Sequence, residues 1–199
     1  MQATPEELLE LVSRSPAAVA IHDKRAWLEL FSHAAIVQDP VGTAPHRRGA
    51  SPRGASSGDD PLGRFWETFI ASNRISFVSH QDIVIGEEVV RDVSIRSQLG
   101  SGITIEVPAY LIYRTIEESG EARIEALMAY WELWSMVRQV IARGFAGLLT
   151  VIRLAWRMLK IQGAACLLGF AQGIFRGISG RGRQTVRDFA AALNARDEK

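Results

Sequence analysis

The chain of 199 residues holds a single cysteine, Cys166, which excludes an internal disulfide and any cysteine-built zinc cluster. It has no HExxH pair and no glycine-rich phosphate loop, so the common signatures of zinc proteases and P-loop enzymes are missing. No unit recurs at a period of roughly 20 to 50 residues, which removes solenoids and propellers. At the amino terminus no basic stretch leads into an apolar one, and with only one thiol this sets the expectation of a cytoplasmic protein. Acidic residues are absent over a long stretch: between Ser135 and Arg187 there are nine Lys and Arg and no Asp or Glu.

What is present is an ordinary globular composition, 47% hydrophobic and 23% charged, enough to bury a core. The net charge of +1 hides a division. Up to Trp134 there are 12 Lys and Arg against 19 Asp and Glu; beyond it there are 11 against 3. Parts of opposite charge have different partners. The expected organisation is therefore a folded domain over 1–134 followed by a basic helical extension over 135–199.

Thr4-Pro5-Glu6-Glu7 combines an N-cap, a proline at the first helical position and first-turn acids, followed by Leu8, Leu9, Leu11 and Val12 at helical spacing. The pattern predicts a helix over roughly 5–21. Asp23 caps a second, short helix that buries Trp27, Leu28, Leu30 and Phe31. Ala34 to Asp39 reads as a short strand stopped by Pro40. The segment 42–60 is rich in Gly, Pro, Ser and Arg and reads as a loop, after which Asp59 or Asp60 with Pro61 begins a third helix presenting Leu62, Phe65, Trp66, Phe69 and Ile70. A short strand around 75–85 and longer ones near 88–99, 103–116 and 122–134 are separated by hairpin compositions. Helices followed by a run of antiparallel strands give an α+β fold, with three helices packed on one face of a curved antiparallel sheet.

The segment Ala35-Ile36-Val37-Gln38-Asp39-Pro40-Val41-Gly42, with Pro45 and a basic loop behind it, closely resembles the catalytic strand of the Δ5-3-ketosteroid isomerases. The helical pattern of Ala18 to Phe31, ending in a Leu-Phe pair, and the order of later elements extend the resemblance over about the first 134 residues. It implies the cone-shaped fold shared with nuclear transport factor 2 and the SnoaL-like polyketide cyclases, and no cofactor or metal. It also implies that Asp39 is the general base, taking a proton from the carbon between ketone and double bond and returning it two carbons further along. Ketosteroid isomerase is a standard example of a carboxylate tuned for this task by its pocket. Without the resemblance, an Asp-Pro pair ending a strand is an ordinary turn. Counting from the shared strand proline, Pro108, the family's protonated aspartic acid falls on Tyr110 and its first-helix tyrosine near Ser15. Tyr110 is the expected hydrogen-bond donor to the developing oxyanion, a core aromatic being the other reading. Trp66, Phe69, Met128 and Trp131 are the expected substrate-binding side chains. His80 and Asp82 lack a third ligand and read as solvated, and Arg91-Asp92 reads as surface pairing, although it resembles part of the acid-base set of limonene epoxide hydrolases.

On a helical wheel, residues 136–161 place Arg138, Gln139, Arg143, Thr150, Arg153, Arg157 and Lys160 within one sector, the rest being apolar. This predicts one long amphipathic helix suited to an anionic membrane surface, with folding back onto the sheet or pairing in a homodimer as the alternatives. The run from Ile161 to Phe175 is too short and glycine-rich for a span; Gly169, Gly173 and Gly177 permit close helix packing, and 184–195 reads as a last helix. No nucleic-acid partner is expected, because base-stacking aromatics are not interleaved with the basic residues. The function expected is an isomerase-like enzyme acting on a hydrophobic, steroid-like ketone, with a polyketide cyclase or a silent binding module as alternatives.

Overall fold

The computed structural model describes residues 3–49, 60–99 and 102–164, with Leu168, Gln184, Arg187 and Asp188 beyond them. Five helices and six strands follow one another as α1 (Pro5–Ala20), α2 (Lys24–Glu29), β1 (Phe31–Gln38), β2 (His46–Arg47), α3 (Pro61–Phe65), β3 (Arg74–Ile85), β4 (Glu88–Gln98), β5 (Thr104–Glu118), β6 (Glu121–Tyr130), α4 (Leu133–Ile141) and α5 (Phe145–Gln162). A π-helical turn, Trp66–Ile70, continues α3. The helix starts follow from local chemistry. Thr4 and Glu7 exchange hydrogen bonds in a capping box, Asp23 accepts from the Ala26 N–H, and Asp60 from the Leu62 N–H.

The strands form one sheet in the order β2-β1-β6-β5-β4-β3. Every pairing is antiparallel except β1 with β6, so the sheet is mixed where a purely antiparallel one was expected. The cause is connectivity: after β1 the chain crosses through α3 to the far edge and meanders back, and β6 arrives running alongside β1. Register shifts at Phe31/Ile36, Ser79/Gln81 and Arg114/Thr115 bend the strands, and the sheet curves without closing. The strand expected to be short near 75–85 spans all of Arg74–Ile85.

Strand parity decides what enters the hollow. In β5, Ile105, Val107, Ala109, Leu111 and Tyr113 are buried and the residues between them face outward. The inner side is closed by Val12 and Leu8 of α1, by Trp27, and by Leu62 and Phe65 of α3. Trp27 is the hub, with ring centroids 4.5 Å from Phe31, 6.0 Å from Phe65 and 5.6 Å from Trp66, and its indole N–H donates to Ser15 Oγ at 3.1 Å. Arg91 pairs with Asp82 opposite it across the strands, through two bonds of 2.9 and 3.0 Å, and not with its neighbour Asp92. It is buried, so the reading of a solvated surface pair does not hold for Arg91.

The single long helix expected over 136–161 is two helices. α4 starts at Leu133, inside the segment expected to be strand, and the chain turns at Ala142–Gly144, where Gly144 takes φ +65°. The turn folds α5 back across α4. Gly147 makes this possible, because a Cβ there would collide with the Val140 carbonyl oxygen. α4 is tied to β5 by Gln139, whose side-chain amide donates to the Glu106 carbonyl at 3.1 Å and accepts from the Glu106 N–H at 3.4 Å. β6 pairs with β5 only from Tyr110 onward, so Gln139 supplies partners to backbone that lacks a β6 neighbour. The glycine repeat at 169–177 and most of the expected last helix lie outside the described residues.

Candidate active site

Asp39 follows directly on β1, at a place fixed from several sides. Its neighbour Val41 donates its N–H to the Ala129 carbonyl at 2.8 Å, Gln38 Nε2 donates to the Thr43 carbonyl at 2.8 Å, and Thr43 Oγ1 donates to the Pro40 carbonyl at 2.8 Å. This turn aims the carboxyl into a cavity of about 590 Å³, within the size range of small-molecule sites. Phe65, Phe69, Ile75, Ile95, Val107 and Trp131 wall the cavity around Asp39, and Met136, Val137 and Val140 of α4 with Val151, Leu154 and Met158 of α5 close its outer end.

The carboxyl has one hydrogen bond among the described residues: the Trp131 indole N–H donates to Oδ1 at 2.6 Å. Enclosure by apolar walls penalises the charged form and pushes the Asp39 pKa up to about 6, partly offset by the indole hydrogen bond, which favours the carboxylate. At neutral pH Asp39 is thus mostly ionised yet basic enough to accept a proton from carbon, the balance a general base requires. His46, beside Phe65 and Phe69 at ring-centroid distances of 5.1 and 6.4 Å, is held down at about 4, first by burial and then by the charge of Arg64, and is neutral at physiological pH.

Of the side chains expected at the site, Asp39, Phe69 and Trp131 come together in the cavity. Trp66 does not line it; it is buried in the core against Trp27. Met128 pairs with Ile112 on the outer face of the sheet. Tyr110 pairs with Tyr130 on that outer face and is 55% exposed, so it cannot donate to a group beside Asp39. The reason is parity: Tyr110 lies between the inward-facing Ala109 and Leu111, and the inward phenol is Tyr113, three residues on. Tyr113 is fully buried in the core and does not line the cavity; burial raises its pKa and keeps it protonated. The strict alternation of β5 in the sequence is the signal that points to it. The polar groups that do line the cavity with Asp39 are Ser72, Asn73, Ser97, Thr150, Arg153 and Arg157. The helical wheel of 136–161 puts Thr150 and the two arginines on a polar stripe facing a membrane surface or solvent, whereas in the structure they line the cavity.

No family model matches the sequence, and no curated protein matches it. Solved structures do. The RV0760c protein of Mycobacterium tuberculosis is 26% identical, with a TM-score of 0.52 over 66% of this chain and 96% of its own. It has also been solved in complex with estradiol-17β-hemisuccinate, and that structure aligns with 22% identity and a TM-score of 0.52 over 64% of this chain and 95% of its own. A Δ5-3-ketosteroid isomerase from a Mycobacterium species matches at 23% identity and a TM-score of 0.52, over 65% of this chain and 96% of that one. The epoxide hydrolase/cyclase-like enzyme SalBIII of salinomycin biosynthesis matches at 14% identity and a TM-score of 0.53, over 64% of this chain and 92% of that one. The chain therefore has the cone fold of these ketosteroid isomerase-like, nuclear transport factor 2-like proteins.

Proposed function

We propose that the protein is an isomerase-like enzyme that shifts a double bond in a hydrophobic ketone of steroid-like shape, with Asp39 carrying the proton. The observation that carries this reading is the carboxyl at the floor of an apolar cavity, with a pKa of about 6 and one indole hydrogen bond. Asp39 would take the proton from the carbon between ketone and alkene, hold it as a neutral acid while the dienolate forms, and deliver it two carbons along; no metal or cofactor is needed for this exchange. The fold neighbours that bind a steroid ester or isomerise ketosteroids support the same class of ligand. A cyclase would use the same acid on a different skeleton, in line with the cyclase-like neighbour. A silent binding module would not need the carboxylate at all.

The test is the ultraviolet absorbance of a Δ5-3-ketosteroid incubated with wild type and with Asp39→Asn. Wild type should generate the conjugated enone, and the variant should be slower by about 10²- to 10⁴-fold while ligand affinity is nearly kept. No signal from folded wild type sinks the isomerase reading; equal rates in both sink Asp39 as the base. The rate should rise with pH through about 6 and then level off, because the ionised carboxylate is the active form.

A membrane-facing role for α5 rests on one specific feature. Phe145, Leu148, Ile152, Trp156 and Leu159 form an exposed stripe one or two turns apart, with Arg153, Arg157 and Lys160 on one shoulder. None of the described helices is long and apolar enough to cross a membrane. Wild type should sediment with anionic liposomes and Ile152→Asp/Trp156→Glu should not. A second copy of the chain covering the stripe would appear instead as a dimer in sedimentation velocity, abolished by the same pair of changes.

A further inference from the structure

The cavity is lined by two chemically different sets of residues. Asp39 stands at the end of β1; α5 contributes an apolar wall of Val151, Leu154, Ala155 and Met158, and beside it Arg153 and Arg157. These arginines are four residues apart, so they stand one turn above the other on one shoulder of the wall. Among the described residues neither has an ion-pair partner. None is available on their own elements: from Leu133 to Ala164 there are five Lys and Arg and no Asp or Glu. The one carboxylate in the lining is Asp39, which accepts from the Trp131 indole and, among the described residues, forms no ion pair with either arginine. Arg157 is half-buried, and burial without a counter-charge lowers its pKa. A guanidinium held partly out of water with no anion beside it is costly, and a ligand anion removes that cost.

We propose that the cavity's ligand is an amphiphile, with its ketone toward Asp39, its apolar body against the aromatic and aliphatic walls, and an anionic oxygen group at the outer end held by Arg157 and Arg153. This rests on the reading that the cavity takes a hydrophobic ketone, and it adds the polarity of the far end. Planar guanidinium groups suit such a group because they offer paired N–H donors to two oxygens of a carboxylate, sulfate or phosphate ester. Ser72 in the same lining can donate its hydroxyl to a remaining acceptor.

The test is calorimetric binding of testosterone 17-hemisuccinate and of its methyl ester, two ligands of nearly the same size that differ by one charge. Wild type should bind the acid about tenfold more tightly, and the preference should shrink as salt is raised. It should vanish in Arg153→Gln/Arg157→Gln and survive in Arg157→Lys. Equal binding of acid and ester by wild type, or a preference that persists in the double variant, overturns the proposal and leaves the hydrophobic-ligand reading standing. If wild type with a normal melting transition binds neither compound, that underlying reading fails and this one falls with it. The salt dependence, measured on wild type alone, decides the matter even if the double variant does not fold.

Discussion

The cone and the two helices over its mouth are built on opposite terms. In the cone, Trp27, Tyr113, Leu62, Ile124, Val12 and Val37 are almost wholly enclosed, and hydrophobic side chains alternate with polar ones along β5. In α4 and α5 only Leu133, Val140, Gly147 and Met158 are buried, while Trp134, Phe145, Leu148, Ile152 and Trp156 remain exposed, Phe145 by 80%. The cone is acidic and the helices are basic. The contrast teaches where stability and access reside. Burial of apolar surface, the main favourable term in folding, is concentrated under the helices of the cone. The pair at the mouth is fastened by a few contacts: Met158 over the cavity, Gln139 on β5, and Gln162, which donates to Thr68 Oγ1 at 3.1 Å. Such a segment belongs to the low-stability end of a structure, where a lid must be if ligands are to enter.

Breaking each part separately should show this. Trp27→Ala removes the hub of the cone and should cost about 3–5 kcal/mol, read as a loss of melting temperature of the whole protein. Gly147→Val forces α5 away from the Val140 carbonyl, yet the cone's melting temperature should hardly move. Its effect should appear as faster amide exchange over 145–162 and faster ligand dissociation. If Gly147→Val instead lowers global stability as much as Trp27→Ala, the two parts form one cooperative unit and the comparison fails.

Asp39→Asn sharpens the comparison from the site outward. The folded-state pKa of Asp39 is raised to about 6 from 3.8, so between those values the unfolded chain loses its proton while the folded one keeps it. Wild-type stability therefore falls as pH rises through this window, and the full cost is present above about 6. His46 runs the other way: its pKa of about 4, lowered from 6.5, gives stability that is complete above 6.5 and lost as pH falls toward 4. The two slopes oppose each other in wild type. The Asn variant keeps only the histidine slope, so its stability should match wild type below about pH 4 and exceed it by about 1–3 kcal/mol above pH 6. Urea melts across that range check it; an equal gap at every pH would mean that Asp39 is not held in a desolvated place.

These contrasts were unevenly legible in the sequence. Asp39, its turn and the helix caps rest on local chemistry, and they stand where the residues place them, whereas the last strand ends early, at Tyr130, because α4 begins at Leu133. Counting from Pro108 selects Tyr110 but carries no information about which face a residue takes; the alternation from Ile105 to Tyr113 does carry it and assigns the inner face to Tyr113. Trp66 and Met128 show the limit of composition, since an aromatic or a methionine suits a core or an outer face as well as a cavity wall. The helical wheel grouped Arg153, Arg157 and Thr150 correctly as neighbours but assumed a straight, unpartnered helix. The break at Gly144 and the fold-back over the cavity turn that shoulder toward the cavity. Nothing local in 136–161 reveals what α5 would cover, because that depends on a cavity built by residues a hundred positions earlier.

The mildest probe is Gln139, the side chain that joins the basic part to the acidic one. Its amide satisfies both backbone groups of Glu106, where β5 has no β6 partner. Gln139→Ala leaves that N–H and C=O to water, and since this edge is solvent-accessible the loss should be about 1 kcal/mol. The loss should be local, seen as faster exchange of the Glu106 amide and greater protease sensitivity of the 142–144 turn with the global melt unchanged. Gln139→Glu keeps the acceptor for the Glu106 N–H but removes the donor to its carbonyl and sets a carboxylate against that oxygen, so it should loosen α4 more than alanine does. If alanine and glutamate behave alike, the two hydrogen bonds do not hold the lid, and its attachment depends instead on Val140 and Met158.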